Sequence, residues 1–178
     1  MIITICGPAG SGKSTVSKKL AQKLGYKHYS IGDLRRKMAS ERGMTLAELN
    51  KLGEEEEFTD KEVDEFQARL GKKEDNFVID GRTSWYFIPN SIKVYLDASL
   101  DVRTERMLRD ERVSEKFNDL KEAKQGVIER DKSDVTRYIK YYNLDVHNLS
   151  NFDLVIDTGD NTEEDTVNEI VEYLEKAP

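Results

Sequence analysis

Four short apolar runs punctuate an otherwise polar chain: IITIC at 2–6, FVID at 77–80, IKVYL at 92–96 and DLVID at 153–157. They are nearly continuous rather than alternating, the pattern of strands buried on both faces of a parallel sheet. A weaker fifth strand is expected at 27–30. Between these runs the period changes to that of a helix. Val16, Leu20 and Leu24 make one stripe across 14–24, with Gly25 as its stop, and further helices are expected at 33–41, at 100–111 and from about 162 to 176. Strands alternating with helices imply an α/β fold, an open, doubly wound parallel five-stranded sheet. Residues 40–73 break that rhythm with two more helices, each opened by a capping-box pattern, TLAE (Thr45, Glu48) and TDKE (Thr59, Glu62). They read as a helical insertion over the carboxyl edge of the sheet. The acidic run at 54–57 between them reads as a solvated loop or helix end. No internal repeat or low-complexity linker divides the chain, so residues 1–178 are expected to form one domain.

Composition narrows the partners more than the fold. The 178 residues carry 37% apolar side chains, enough for one core, and a net charge of -7. That balance disfavours a general electrostatic grip on nucleic acid, which needs an excess of Lys and Arg. The one cysteine, Cys6, sits in the first apolar run and reads as a small buried hydrophobe. With no second cysteine there is no internal disulfide, and a reducing, cytoplasmic setting is expected. No apolar run approaches the ~20 residues of a membrane span.

The first strand runs straight into Gly7-Pro8-Ala9-Gly10-Ser11-Gly12-Lys13-Ser14-Thr15, and a helix follows. Gly7, Gly12, Lys13 and Ser14 match G-x-x-x-x-G-K-[ST] in the strand-to-helix context that a P-loop requires. Loop N–H groups would cradle a β-phosphate, Lys13 would reach the β and γ oxygens, and the Ser14 hydroxyl would ligate Mg²⁺. A plain glycine-rich turn with a capping serine leaves Lys13 unexplained. The loop specifies a nucleoside triphosphate without specifying its fate. A signalling GTPase is excluded, because Asn50-Lys51-Leu52-Gly53 stops short of N-K-x-D and no glycine has an aspartate three residues earlier. An AAA-type motor needs a longer chain.

Three other stretches point to phosphoryl transfer onto a small molecule. SIGDLRR, Ser30 to Arg36, follows the second strand and offers an arginine for an acceptor phosphate. FVIDGR delivers Asp80 to the carboxyl edge, within reach of Mg²⁺ through its waters, with Gly81 and Arg82 just beyond. In ERDKSDVTRY, Arg130, Asp134 and Arg137 fall at i, i+4 and i+7 on one helix face, where an exposed salt bridge is the plainer alternative. Asp60, Asp64 and Gln67 share one face of the second insertion helix and are candidates to look down on the acceptor, against the alternative of a solvated acidic surface.

In this order, GPAGSGKST, S-x-G-D-x-x-R, D-G-R and the closing DLVIDT resemble the nucleoside monophosphate kinase family, and most closely its archaeal type of cytidylate kinase. The likeness spans essentially the whole chain and includes D-x-x-x-D-x-x-Q (Asp60, Asp64, Gln67), VYLDASLDVRTER and RDKSDVTRY. It implies ATP-dependent phosphorylation of a pyrimidine nucleoside 5′-monophosphate, CMP or dCMP, by a monomer using Mg²⁺. It also implies Arg36, Arg82, Arg130 and Arg137 on phosphates or sugar, Asp134 on the ribose, and Arg103 and Arg106 in a lid over ATP at about 106–120. Lys13 and the arginines would then do the catalytic work. One position departs from the bacterial type of cytidylate kinase: Thr83 stands where an aspartate would read the cytosine amino group. Adenylate kinase's D-G-F-P-R is absent too. His28 and His147 lie in no motif and are given no role, and one cysteine cannot build a zinc-bearing lid. Another small-molecule P-loop kinase, adenylate kinase among them, and a non-catalytic nucleotide-binding module are the alternatives at this stage.

Overall fold

The computed structural model describes residues 1–110 and 117–176. Five strands, β1 (Ile2–Cys6), β2 (Lys27–Ser30), β3 (Phe77–Asp80), β4 (Ile92–Asp97) and β5 (Leu154–Asp157), form one sheet in the order β2-β3-β1-β4-β5. Every pairing is parallel. Helices α1 (Lys13–Leu24), α2 (Ile31–Glu41), α3 (Leu46–Glu55), α4 (Phe58–Lys73), α5 (Ser84–Phe87), α6 (Leu100–Leu108), α7 (Leu120–Tyr142) and α8 (Glu163–Lys176) complete the described chain.

Both faces of the sheet are covered, as the apolar runs require. Ile3, Ile5, Val78, Val94 and Leu96 pack with Val16 and Leu20 of α1 and Val167 and Ile170 of α8. Neighbouring positions Phe77 and Ile79 point the other way, into Ile31 and Met38 of α2, Leu49 of α3, and Val63 and Leu70 of α4. The insertion at 40–73 is therefore two helices tied into the core by their own apolar stripes. Cys6 and Tyr95 meet Trp85, Tyr138 and Leu144 in a third cluster.

Local chemistry sets the element ends. Ser30 caps α2 by accepting from the Asp33 N–H, so the helix starts at Ile31, two residues before the sequence pattern suggests. Thr45 and Glu48 form the expected capping box on α3. The second expected box does not form. Helix α4 begins at Phe58, and Thr59 is fully buried within its first turn. Its hydroxyl bonds the Glu56 carbonyl at 3.3 Å and the Asp60 carboxylate at 3.3 Å. Close packing explains this: a Cβ on Gly53 would lie 2.6 Å from Thr59 Oγ1 and 3.0 Å from Arg137 Cδ, so only glycine lets α3 approach α4 and α7. Helix α6 ends at Leu108, short of the expected 111; of the expected lid at about 106–120, residues 111–116 lie outside those described.

Strand order places the site. The chain leaves β1 toward β2 on one side and later crosses to β4 on the other, so the loops after β1 and β3 face one crevice at the carboxyl edge. Those loops are stitched together: the Gly81 N–H donates to the Ile5 carbonyl at 3.2 Å, and the Cys6 thiol to the Gly81 carbonyl at 2.9 Å. Cys6 is the inert thiol expected, since burial pushes it up to about 12.

Candidate active site

The glycine loop owes its shape to backbone that other residues adopt poorly. Gly7, Gly10 and Gly12 have φ of 137°, 79° and 85°. At Gly7 a Cβ would lie 2.0 Å from the Leu96 carbonyl, which presses the loop against β4. Lys13 folds back so that its ammonium donates to the Pro8 carbonyl at 2.6 Å. Burial pulls this ammonium well below its usual range, and the nearby Arg82 adds to the effect. A polyphosphate would supply the missing negative charge.

The loop floors a cleft of about 820 Å³ that runs from Thr158 and Asn161 at one end to α2 and α3 at the other. Ala9 to Thr15 line it, together with Asp80, Gly81, Arg82, Arg106, Arg130, Asp134 and Arg36. At its centre Asp80 Oδ2 accepts from Ser14 Oγ at 3.0 Å and Ser30 Oγ at 3.0 Å, while Oδ1 bonds His28 Nε2 at 2.8 Å. His28 also lines the cleft, a placement that no sequence motif announced. Its side chain reaches Asp80 because β2 pairs with β3 in the register His28↔Val78, Ser30↔Asp80. Arg106 bonds Thr158 Oγ1 at 2.9 Å, and Thr158 in turn donates to the Ser11 carbonyl at 3.1 Å, which links the end of β5 to the loop.

Beneath the cleft the charges pair in a chain. Arg35 donates to Asp60 at 2.9 Å and Arg137 to Asp60 at 2.8 Å. Arg137 and Arg82 both grip Asp134. Arg82 continues to the Gly7 carbonyl, and Arg103 joins Asp131 at 2.6 Å to the Ala9 carbonyl at 3.3 Å. Burial alone would push the Asp134 carboxyl up, but Arg82, Arg137 and Arg130 reverse that and hold it far below the usual carboxylate range. The helix-face trio of α7 is thus no solvated salt bridge, for Arg137 is 1% exposed. Arg137 and Arg103 are absent from the cleft walls, so both reach the cleft only through partners that line it.

The expected base-reading face of α4 is one face, but it points inward. Asp60, Asp64 and Gln67 are 2%, 5% and 0% exposed, and none lines the cleft. Asp64 accepts from Gln67 at 2.8 Å, Thr83 at 3.1 Å and Tyr142 at 2.6 Å, and Gln67 accepts from Ser84 at 2.6 Å. Arginines and hydroxyls brought from distant parts of the chain have saturated it.

Burial pushes the Asp64 carboxyl from 3.8 up to about 6, against the opposing hydrogen bonds of Tyr142 and Thr83. The folded state therefore binds this proton more tightly than the unfolded state does. Asp64 favours the fold below about pH 4, and that contribution is lost as pH rises through about 6. Asp64→Asn can keep the acceptor for Gln67 and Thr83, and Tyr142 can turn to accept. Urea melts of both proteins should show the wild type losing on the order of 2 kcal/mol relative to the variant between about pH 4 and pH 7. A constant difference would contradict the buried, proton-binding environment of Asp64.

A parallel β2-β3-β1-β4-β5 sheet that carries a lysine-bearing glycine loop after its first strand defines a P-loop kinase fold. A solved shikimate kinase from Bacteroides thetaiotaomicron shares it, with a TM-score of 0.67 over 98% of both chains at 17% identity. Residues 2–160 match the cytidylate kinase-like family, and the chain belongs to that family. Among its relatives, a cytidylate kinase of Natronomonas pharaonis is 40% identical over 163 residues, covering 89% of this chain and 81% of that one. A cytidylate kinase of Sulfurisphaera tokodaii is 38% identical over 177 residues, covering 98% and 95%.

Proposed function

We propose that the protein transfers the γ-phosphoryl group of ATP to the phosphate of a pyrimidine nucleoside 5′-monophosphate, CMP or dCMP. The observation that carries this reading is a single cleft in which the glycine loop and Lys13 stand at the donor end and Arg36, Arg82 and Arg130 line the path toward α2 and α3. Relatives named cytidylate kinase at about 40% identity support the acceptor.

The chemistry is dominated by charge. Donor and acceptor together bring about six negative charges that must meet in line. Lys13 and the loop N–H groups hold the β and γ oxygens, while Arg36, Arg82 and Arg130 neutralise and orient the acceptor phosphate. Asp134, held by Arg82 and Arg137, would receive a ribose hydroxyl, and Arg137 would then be a positioning residue. Among the described residues no group of three His, Cys, Asp or Glu side chains could hold a metal alone. Mg²⁺ needs no such cluster, since it binds through one or two protein oxygens and the phosphates themselves. Ser14 and Asp80, with oxygens 3.0 Å apart at the loop, are the fitting pair. Bound there with ATP, Mg²⁺ would neutralise developing charge on the phosphates.

An acceptor panel tests the reading. With ATP and Mg²⁺, ADP production should be fastest with CMP or dCMP, slower with UMP and negligible with AMP, with nucleosides and with no acceptor. Preference for AMP or for an unphosphorylated acceptor would contradict it.

A further inference from the structure

The acceptor end of the cleft holds two side chains that no motif singled out. Arg35 precedes the expected phosphate arginine, Arg36, and lies on a different face of α2. It is 7% exposed, donates to Asp60 at 2.9 Å and to the Thr59 carbonyl at 3.1 Å, and lines the cleft. Its Nε–H, itself buried, has no partner among the described residues. Its other terminal nitrogen donates at 3.0 Å to Asn50 Oδ1. Asn50, from α3, is 6% exposed and lines the same cleft.

This contact fixes which way the Asn50 amide faces. A guanidinium has donors and no acceptor, so the atom it meets must be the amide oxygen. The Asn50 amide nitrogen is therefore the end left over, and it has no hydrogen-bond partner among the described residues. Ser133 of α7 donates to the Asn50 backbone carbonyl at 3.4 Å, which ties α3 to the helix that carries Asp134, and Asn50 and Asp134 line the same cleft. Ile31, Leu46 and Tyr138 give this end of the cleft apolar walls suited to a flat ring.

We infer that Asn50, oriented by Arg35, reads the pyrimidine of the acceptor by donating to N3 of cytosine; the inference rests on the proposed phosphoryl transfer to a pyrimidine monophosphate. Cytosine carries two adjacent acceptors, N3 and O2. Uracil has a donor, N3–H, in place of the first. A subsite made of the Asn50 amide nitrogen beside a donor-only guanidinium matches the cytosine pair and opposes the uracil N3–H. A site that leaves a buried polar group unpaired discriminates more strongly than one that merely misfits in shape. The role that an aspartate after D-G-R would fill at the amino group is thus moved to the neighbouring ring nitrogen, and Thr83 is free to bond Asp64.

The test exchanges a donor for an acceptor at constant shape. Asn50→Asp keeps an oxygen for Arg35 and turns the amide nitrogen into a second oxygen, which repels N3 of cytosine and accepts from N3–H of uracil. The CMP/UMP ratio of kcat/KM should fall about tenfold or more, with the KM for ATP retained. Asn50→Ala, which removes the donor without adding charge, should lower the ratio less and guards against a variant that fails to fold. A ratio that is unchanged in both variants, or that rises in Asn50→Asp, overturns the assignment while CMP phosphorylation by the wild type stands. Absence of transfer to either pyrimidine by the wild type overturns the proposed function itself.

Discussion

Replacing Lys13 with alanine is expected to lower kcat on the order of 10³-fold while the melting temperature stays within a degree or so of the parent. The ammonium is half-buried at the floor of the cleft, and among the described residues its one hydrogen bond is to the Pro8 carbonyl at 2.6 Å. One bond to a loop carbonyl contributes little to holding the fold, and burial and the nearby Arg82 pull the ammonium well below its usual range in the free protein. In the transition state it faces the charge that moves between the β and γ oxygens, where a fixed cation matters most. Steady-state rates with CMP, together with thermal melts, separate the two effects. Near-parental turnover would remove the glycine loop from the reaction.

Arg137→Met should act in the opposite sense, through stability first. Arg137 is 1% exposed and is shared between Asp60, at 2.8 Å, and Asp134. The apolar replacement leaves two buried carboxylates short of a partner, and breaking such a pair from one side costs about 3–5 kcal/mol. For a chain of this size that is a fall of about 10 °C in Tm. Turnover should fall as well, because Asp134 loses one of the two arginines that orient it. A variant that melts with the parent and loses only turnover would make Arg137 a direct phosphate ligand rather than a positioning residue.

The difference between these two basic residues shows what the sequence can and cannot carry. The glycine loop is legible because its chemistry is local: three positive-φ glycines, a lysine and a serine within eight residues, between a strand and a helix. The strands are legible because a parallel sheet covered on both faces needs continuous apolar runs, and Phe77, Val78 and Ile79 are all fully buried on alternate sides. Helix α5 and a 3₁₀ turn at Leu149–Asn151 are too short to show a period. The inward face of α4 is right as a face and silent as to direction, since its partners Arg137, Tyr142 and Thr83 come from α7 and the loop after β3. Arg35 and Arg36 differ by about 100° around one helix, and only the packing of α3 and α4 decides which turns inward. His28 illustrates the same limit: its bond to Asp80 follows from strand register, which no motif records.

If this cleft passes a phosphoryl group from ATP to a pyrimidine monophosphate, the γ-phosphorus must end on the acceptor. Incubation with γ-labelled ATP, Mg²⁺ and CMP tests it most directly, by following the label itself. Labelled CDP should form in one-to-one ratio with ADP, with almost no ATP consumption when CMP is withheld. ADP accompanied by labelled inorganic phosphate, with no label in CDP, would contradict it.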